Sequence, residues 1–120
     1  RGGVVSYTNG VKETVLGVPG ELLREHGAVN APVAASMAQG ARRALGCDLA
    51  LAFTGVAGPD SDERGNEVGL VYVALATPDG VRVRTLRNGP SRGRAGVRHI
   101  SASAGFDMAR RWLLGAPEEE

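Results

Sequence analysis

Two short apolar runs constrain the fold more than any other feature of this sequence. Residues 48–53 and 68–77 are almost continuously apolar, and both are far shorter than the roughly 18 residues that span a bilayer. Runs of this length without alternation are typical of strands that are buried on both faces. A sheet with two buried faces must be covered by helices on both sides. The sequence therefore predicts an α/β domain.

Helix signals surround these two runs. A short helix is predicted over residues 10–16 with Thr8 or Asn9 as its N-cap, and another from Pro19 through residue 25. A longer helix over residues 31–45 follows Asn30, a suitable N-cap, and ends before Gly46. The last helix is predicted over residues 91–114. One apolar face of that helix is expected to consist of Val97, Ile100, Ala104, Met108 and Trp112.

The remaining segments complete a layered domain. Residues 4–7 are predicted to form a strand, and residues 54–67 a long loop. The turn signal Pro78-Asp79-Gly80 links the second apolar run to an alternating, half-exposed strand at residues 81–87. Together these elements predict an α/β three-layer sandwich with a mixed β-sheet and helices on both faces. Residues 1–115 are assigned to one domain and residues 116–120 to an acidic tail, whose last three glutamates are expected to be disordered.

Charge and cysteine content narrow the classes of function. A formal net charge of +1 over 120 residues gives no electrostatic reason to expect a nucleic-acid or membrane partner. His26 and His99 stand apart, without the spacing of metal ligands, so neither a metal nor another cofactor is predicted. The single cysteine, Cys47, cannot form an internal disulfide, which favours a reducing cytoplasm.

Lys12 is the only lysine, whereas the other 13 of the 14 basic residues are arginines. Lysine can become neutral near pH 7 when it is desolvated, whereas arginine stays charged. Lys12 is predicted in the first turn of a helix, five residues after Tyr7, where the helix dipole would lower its pKa and the phenol would lie nearby. A neutral amine there could act as a general base. A solvated surface lysine is the alternative interpretation.

Two further groups could bind an anion. The segment Thr54-Gly55-Val56-Ala57-Gly58-Pro59 follows a buried strand, and its glycines would let backbone N–H groups approach a phosphate or an oxyanion. An ordinary tight turn is the alternative there. Arg92, Arg94 and Arg98 lie at the start of the last helix and could clamp a phosphate, or they could form a solvated face.

Several motifs, taken in order, resemble the C-terminal domain of the CinA competence/damage-inducible family over about residues 2–112. The matching segments are Gly2-Gly3-Val4-Val5-Ser6-Tyr7 with Asn9 and Lys12, Leu16-Gly17-Val18-Pro19, His26-Gly27-Ala28-Val29, Thr54-Gly55-Val56-Ala57-Gly58-Pro59, Val71-Tyr72-Val73-Ala74-Leu75-Ala76, and Arg94 with Val97-Arg98. The resemblance implies nicotinamide-nucleotide amidase activity. In that reaction the carboxamide of nicotinamide mononucleotide is hydrolysed to nicotinate mononucleotide and ammonia without a metal.

The resemblance also implies roles for individual residues. Tyr7 and Lys12 match the catalytic tyrosine and lysine of the family. Substrate contacts are implied for Asn9, Thr54, Gly55, Ala57, Gly58 and Arg94. The nucleophilic serine of the family belongs to a segment that would precede Arg1, so we expect a missing N-terminal segment and an inactive isolated chain. Ser6 is not assigned as the nucleophile, because a strand would turn its side chain to the face opposite Tyr7.

A non-catalytic nucleotide-binding or regulatory domain is the alternative function. In either case the expected partner is a small-molecule nucleotide. A homo-oligomer is also expected, because the helix over residues 31–45 could pack on a second copy of the chain.

Overall fold

The computed structural model describes residues 1–117, and within them it contains four α-helices and three β-strands. The helices are α1 Asn9–Thr14, α2 Gly20–His26, α3 Ala31–Leu45 and α4 Gly93–Leu113, and the strands are β1 Ala50–Gly55, β2 Leu70–Thr77 and β3 Gly80–Arg87. A single 3-10 turn, Pro90–Arg92, leads into α4. The predicted tail residues Glu118, Glu119 and Glu120 lie outside the described residues.

The sheet has the order β1-β2-β3, and both neighbouring pairs are antiparallel. The prediction of a mixed sheet is therefore wrong for residues 1–117. The physical reason is the connection between β1 and β2: a loop returns the chain beside the strand that it left, without the crossover helix that parallel neighbours need. β3 follows β2 through a tight turn at Pro78 and Asp79 and alternates in burial, which confirms the half-exposed strand.

Helices cover the two faces of the sheet, which confirms the three-layer α/β prediction. On one face, α3 packs on alanines of the strands such as Ala52, Ala74 and Ala76. On the other face, Val71 and Val73 contact Val97 of α4. Because successive strand residues point to opposite faces, these two sets alternate along β2. This strand is buried on both sides, as its apolar run predicts.

The α3 helix forms over the predicted residues because its capping signals are local. The Asn30 side chain accepts a hydrogen bond of 2.9 Å from the Val33 N–H, and Gly46 ends the helix with φ 57°. The apolar face of α3 is covered by the chain's own sheet. The argument that this face would pack on a second copy therefore does not hold, and the oligomeric state stays a prediction.

Three sequence-based expectations differ from the structure. Residues 4–7 do not form a strand, because no strand in residues 1–117 pairs with them. β1 is buried on one face only, since Phe53 and Gly55 are exposed.

In α4 the buried residues are Val97, Ser101 and Gly105 rather than the predicted stripe, of which only Val97 is buried. Gly105 faces the sheet because a Cβ there would lie 2.6 Å from Phe53 Cζ. Its missing side chain makes room for that ring.

Candidate functional site

The candidate site is a cleft of about 980 Å³ along β1. Residues 1–7, the second half of α3 and one face of α4 form its other walls. β1 is one of the two edge strands of the sheet, and no described strand pairs with its outer edge, along which the cleft runs. Six of the eight predicted site residues line it, and they come from four separate parts of the chain. These residues are Tyr7, Lys12, Thr54, Gly55, Ala57 and Arg94.

Lys12 is buried, with 7% of its surface exposed, and its amine reaches the cleft. Nζ donates a hydrogen bond of 2.5 Å to the Ser6 carbonyl oxygen. Within residues 1–117 no carboxylate lies within ion-pair distance of this amine, and the Ser6 oxygen is its one hydrogen-bond acceptor. The alternative of a solvated surface lysine is therefore wrong, and the catalytic role of Lys12 stays a prediction.

Burial lowers the pKa of Lys12 below its ordinary value of 10.5. Removal of the amine from water disfavours its charged form, and no described carboxylate offsets that cost. The shift of the Lys12 pKa has the predicted direction, and its cause is desolvation rather than the helix dipole. Lys12 is the fourth residue of a six-residue helix and lies in its last turn, away from the positive end of the helix dipole.

Tyr7 lines the same cleft, but 91% of its surface is exposed. No hydrogen bond joins its phenol to Lys12 in the described part of the chain. The expectation that phenol and ammonium meet across a strand-to-helix bend is therefore not met. The reason is that residues 4–7 are extended without a strand partner, so nothing fixes the Tyr7 side chain against the domain.

Thr54 and Gly55 end β1 at the cleft. The buried Thr54 hydroxyl donates to the Ala28 carbonyl oxygen at 2.7 Å, so its proton is used to tie the strand to the α2–α3 connection. A Cβ at Gly55 would lie 2.6 Å from the Leu70 carbonyl oxygen, so the neighbouring strand requires glycine there. Both residues thus have a structural role in addition to their position in the cleft.

The remaining predicted residues, Asn9 and Gly58, do not line the cleft. Asn9 is exposed as the first residue of α1, whose N-cap is Thr8. Gly58 is buried, and its carbonyl oxygen accepts a hydrogen bond of 3.0 Å from Arg94 Nη1. Gly58 therefore belongs to the support of the cleft rather than to its surface.

Arg98, one of the three arginines predicted as a possible phosphate clamp, also lines the cleft. It lies one helical turn after Arg94, and it lines both the cleft and an adjoining cavity of about 570 Å³. Arg92 lines neither of these two cavities. The i, i+4 spacing of Arg94 and Arg98 explains why both line the cleft, because residues at this spacing share one helix face. Together these two guanidinium groups suit an anionic ligand.

Residues 1–117 contain neither a metal-binding cluster nor a helix that could span a membrane. No group of three or more His, Cys, Asp or Glu side chains is placed to hold a metal ion. None of the helices in this range has both the length and the apolar character that crossing a bilayer would require.

Comparisons with known proteins agree with this architecture. The family model described as the CinA C-terminal domain matches residues 1–113. A CinA-like protein from Parasynechococcus marenigrum is 46% identical over 113 residues, which cover 94% of this chain and 27% of that protein. A putative competence-damage inducible protein from Desulforamulus reducens is 49% identical over 114 residues, with coverages of 95% and 27%. This chain thus spans about a quarter of the length of these curated relatives.

Solved structures show the same similarity. The competence/damage inducible protein CihA from Agrobacterium tumefaciens has a TM-score of 0.80 and 36% identity, and the match covers 86% of this chain and 62% of that one. A CinA superfamily protein from Escherichia coli has a TM-score of 0.77 and 27% identity, with coverages of 92% and 62%.

Proposed function

Since this chain belongs to the CinA C-terminal domain family, we propose that it forms the amidase site that hydrolyses the carboxamide of nicotinamide mononucleotide. The products are nicotinate mononucleotide and ammonia. One observation carries the proposal: Lys12 is buried, lines the cleft, and has no carboxylate partner for its amine within residues 1–117. Such an amine can be neutral at a pH where an exposed lysine is charged, as a general base requires.

The reaction proceeds in two steps in this proposal. A serine hydroxyl, from chain that precedes Arg1, attacks the amide carbon while neutral Lys12 accepts the hydroxyl proton. Lys12 then gives this proton to the leaving nitrogen, the C–N bond breaks, and ammonia departs from an acyl-serine ester. Water hydrolyses that ester with Lys12 again as the base, which releases the carboxylate product and restores the serine.

The other cleft residues bind and orient the substrate. Arg94 and Arg98 lie on the face of α4 that lines the cleft, where they offset the charge of the substrate phosphate. Backbone N–H groups near Gly55 and Ala57 stabilise the oxyanion or the phosphate. Tyr7 lines the same cleft, and in this proposal its hydroxyl orients the lysine and the serine.

Ammonia release from nicotinamide mononucleotide by the full-length protein tests the proposal, with the Lys12→Arg variant beside the wild type. We expect the substitution to reduce kcat by about 10² to 10⁴-fold, because guanidinium cannot lose its proton at neutral pH. Arg43→Lys is a matched control, since it makes the reverse exchange at an exposed position of α3. If Lys12→Arg kept full activity, the assignment of the base would be wrong.

A non-catalytic nucleotide-binding domain is the second candidate. The observation that favours it is the high exposure of Tyr7, the residue assigned to catalysis by the resemblance to the family. Calorimetry distinguishes the two functions. Binding of nicotinamide mononucleotide without ammonia release would favour the binding domain, whereas turnover would exclude it.

A further inference from the structure

The loop over residues 56–69 joins β1 to β2, and only its beginning lines the cleft, through Ala57. Its two ends continue the strand ladder, since Val56 N–H donates to the Leu70 oxygen at 2.9 Å and Gly69 N–H to the Val56 oxygen at 2.7 Å. The middle of the loop instead extends to the end of α2. Contacts other than the hydrogen bonds of the strand ladder must therefore fix the position of residues 57–67.

Arg64 makes the contact between this loop and α2. Its Nη1 donates to the Glu25 carbonyl oxygen at 3.1 Å, and its Nη2 donates to the Arg24 carbonyl oxygen at 2.7 Å. These carbonyls lie in the last turn of α2, where no further helical N–H groups follow. One planar guanidinium thus binds two carbonyls that lack a helical N–H donor. Arg64 lies about 40 positions after these carbonyls in sequence, so the contact is a tertiary one.

Two neighbours hold the Arg64 side chain in this position. Gly27 ends α2 with φ 75°, and a Cβ there would lie 2.5 Å from Arg64 Cδ, so the arginine stem rests directly on the glycine backbone. On the loop side, the Asp62 carboxylate accepts from the Arg64 N–H at 3.1 Å and from Asn66 N and Nδ2 at 2.8 and 2.7 Å. The turn that presents Arg64 is therefore ordered by its own hydrogen bonds.

The same loop is attached to the cleft on its other side. Arg94 Nη1 binds the Gly58 carbonyl oxygen, and Thr54, just before the loop, binds the Ala28 oxygen in the connection that follows Gly27. Ala57 lies between these two attachments, and Gly58 connects it to the part of the loop that carries Arg64. Loss of the Arg64 contact would leave the Ala57–Gly58 segment held by Arg94 and the strand ladder alone.

We propose that Arg64 is a positioning residue for substrate binding: by fastening the loop to α2, it fixes the backbone of Ala57 and Gly58 at the cleft. The role of Ala57 in substrate binding rests on the proposed function. The placement of the loop by Arg64 does not, so the two can fail separately. Arg64 itself does not line the cleft, and its effect is exerted through the loop.

The test compares the full-length wild type with Arg64→Ala, Arg64→Lys and Arg87→Ala. Arg87→Ala is the matched control, because Arg87 pairs with Glu67 near the end of the same loop, but both side chains are exposed and neither reaches α2. Arg64→Lys retains the charge and can reach one carbonyl, which keeps the test decisive if Arg64→Ala folds poorly. Hydrogen–deuterium exchange of the peptide spanning residues 56–66 and the kinetics of ammonia release are measured for each protein.

We expect Arg64→Ala to speed exchange in this peptide by about tenfold or more, while exchange in α3 is unchanged. KM should rise about tenfold and kcat should fall less than about threefold, because a misplaced loop weakens binding without touching Lys12. Arg64→Lys should be intermediate, and Arg87→Ala should match the wild type. A purely structural role would reduce the amount of active enzyme, and hence the apparent kcat, at unchanged KM.

Two results would overturn the inference: exchange of residues 56–66 that is unaffected by loss of Arg64, or a lower kcat with an unchanged KM. If the wild type releases no ammonia, the proposed function fails, and the exchange measurement alone then decides whether Arg64 holds the loop.

Discussion

The face of the sheet that α3 covers and the outer edge of β1 differ in how completely other residues pack against them. On the face that α3 covers, Val33 and Ala34 of the helix and Ala74 of β2 have no exposed surface. Along the outer edge of β1, the chain instead leaves a cleft of about 980 Å³ that holds a buried amine and two arginines. The closed side, under α3, is stabilised by apolar packing. The open side, at the cleft, keeps polar groups whose burial lowers stability. The comparison predicts that substitutions on the closed side affect folding and those at the cleft affect binding and protonation.

The largest effect is expected from Gly40→Ala on the closed side. A Cβ at this position would overlap the Leu16 carbonyl oxygen, and backbone cannot be moved aside by a rotamer change. We expect a loss of about 3 kcal/mol or more in the free energy of unfolding, measured by urea denaturation. Gly96→Ala is the matched control in α4, where the added Cβ meets only Arg92 Cβ at 3.5 Å. Because alanine favours a helix over glycine by up to about 1 kcal/mol, the control should be neutral or stabilising. Equal losses in both variants would contradict the close approach at Gly40.

At the cleft, Arg98→Ala should weaken binding rather than folding. Loss of a charge-assisted contact to phosphate costs about 1.5–3 kcal/mol, which is roughly a 10- to 150-fold rise in the Kd for nicotinamide mononucleotide. Arg92→Ala removes the same charge two turns earlier on the chain, outside the cleft, and should leave the Kd within about twofold. Calorimetric titration measures both. A similar weakening by the two variants would indicate a general charge effect instead of a contact.

Lys12→Met should raise stability while it abolishes activity. A buried ammonium without a carboxylate is costly, so an apolar side chain of similar length is expected to stabilise the fold by about 1 kcal/mol or more at neutral pH. Denaturant unfolding of the purified variant measures this gain. A destabilised Lys12→Met variant would mean that the Ser6 hydrogen bond outweighs the burial of the charge.

The same substitution should change how stability depends on pH. Burial lowers the pKa of Lys12 in the folded state below the 10.5 of the unfolded chain. Between those two values the unfolded state binds more protons, so wild-type stability should rise with pH across this window and become flat above it. Lys12→Met should lack this rise. Unfolding free energies at several alkaline pH values measure the difference, and parallel curves for the two proteins would contradict it.

The smallest expected change in the free energy of unfolding concerns the N-cap of α3, on the closed side. Asn30→Ala removes the side-chain cap of α3 and should cost about 1 kcal/mol in the free energy of unfolding. Thr8→Ala removes the corresponding cap of the six-residue α1, whose bond to Val11 N is longer, at 3.3 Å, and exposed. We expect a smaller loss there. If the Thr8 cap proved the stronger, α1 and the cleft would be more tightly coupled to folding than the burial pattern indicates.

Local signals in the sequence were sufficient for the closed side. The bounds of α3 follow from Asn30 and Gly46, and the double burial of β2 follows from its unbroken apolar run. These features depend on neighbours within a few residues in sequence, where capping and periodicity apply. The buried face of α4 could not be predicted from such local signals. Its orientation depends on Phe53 of β1 filling the space above Gly105, a contact between residues that are far apart in sequence.

The sequence predicted which residues belong to the candidate site better than it predicted how they are arranged. Six of the eight residues line one cleft, yet the environment of each depends on distant parts of the chain. Lys12 is perturbed by burial rather than by its helix, and Gly58 supports the cleft through Arg94. Residues 4–7 have β propensity but no partner strand within the described chain, and propensity alone does not make a strand.

The protonation of Lys12 is the central claim, and a pH titration of its side-chain ¹⁵N signal tests it most directly. The full-length protein is labelled with ¹⁵N-lysine, and the Lys12 resonance is assigned by its absence from Lys12→Arg. A midpoint clearly below 10.5, which moves when nicotinamide mononucleotide binds, is the predicted result. A midpoint at 10.5 or above would contradict the account, because an amine with an ordinary pKa could not serve as the neutral base of this cleft.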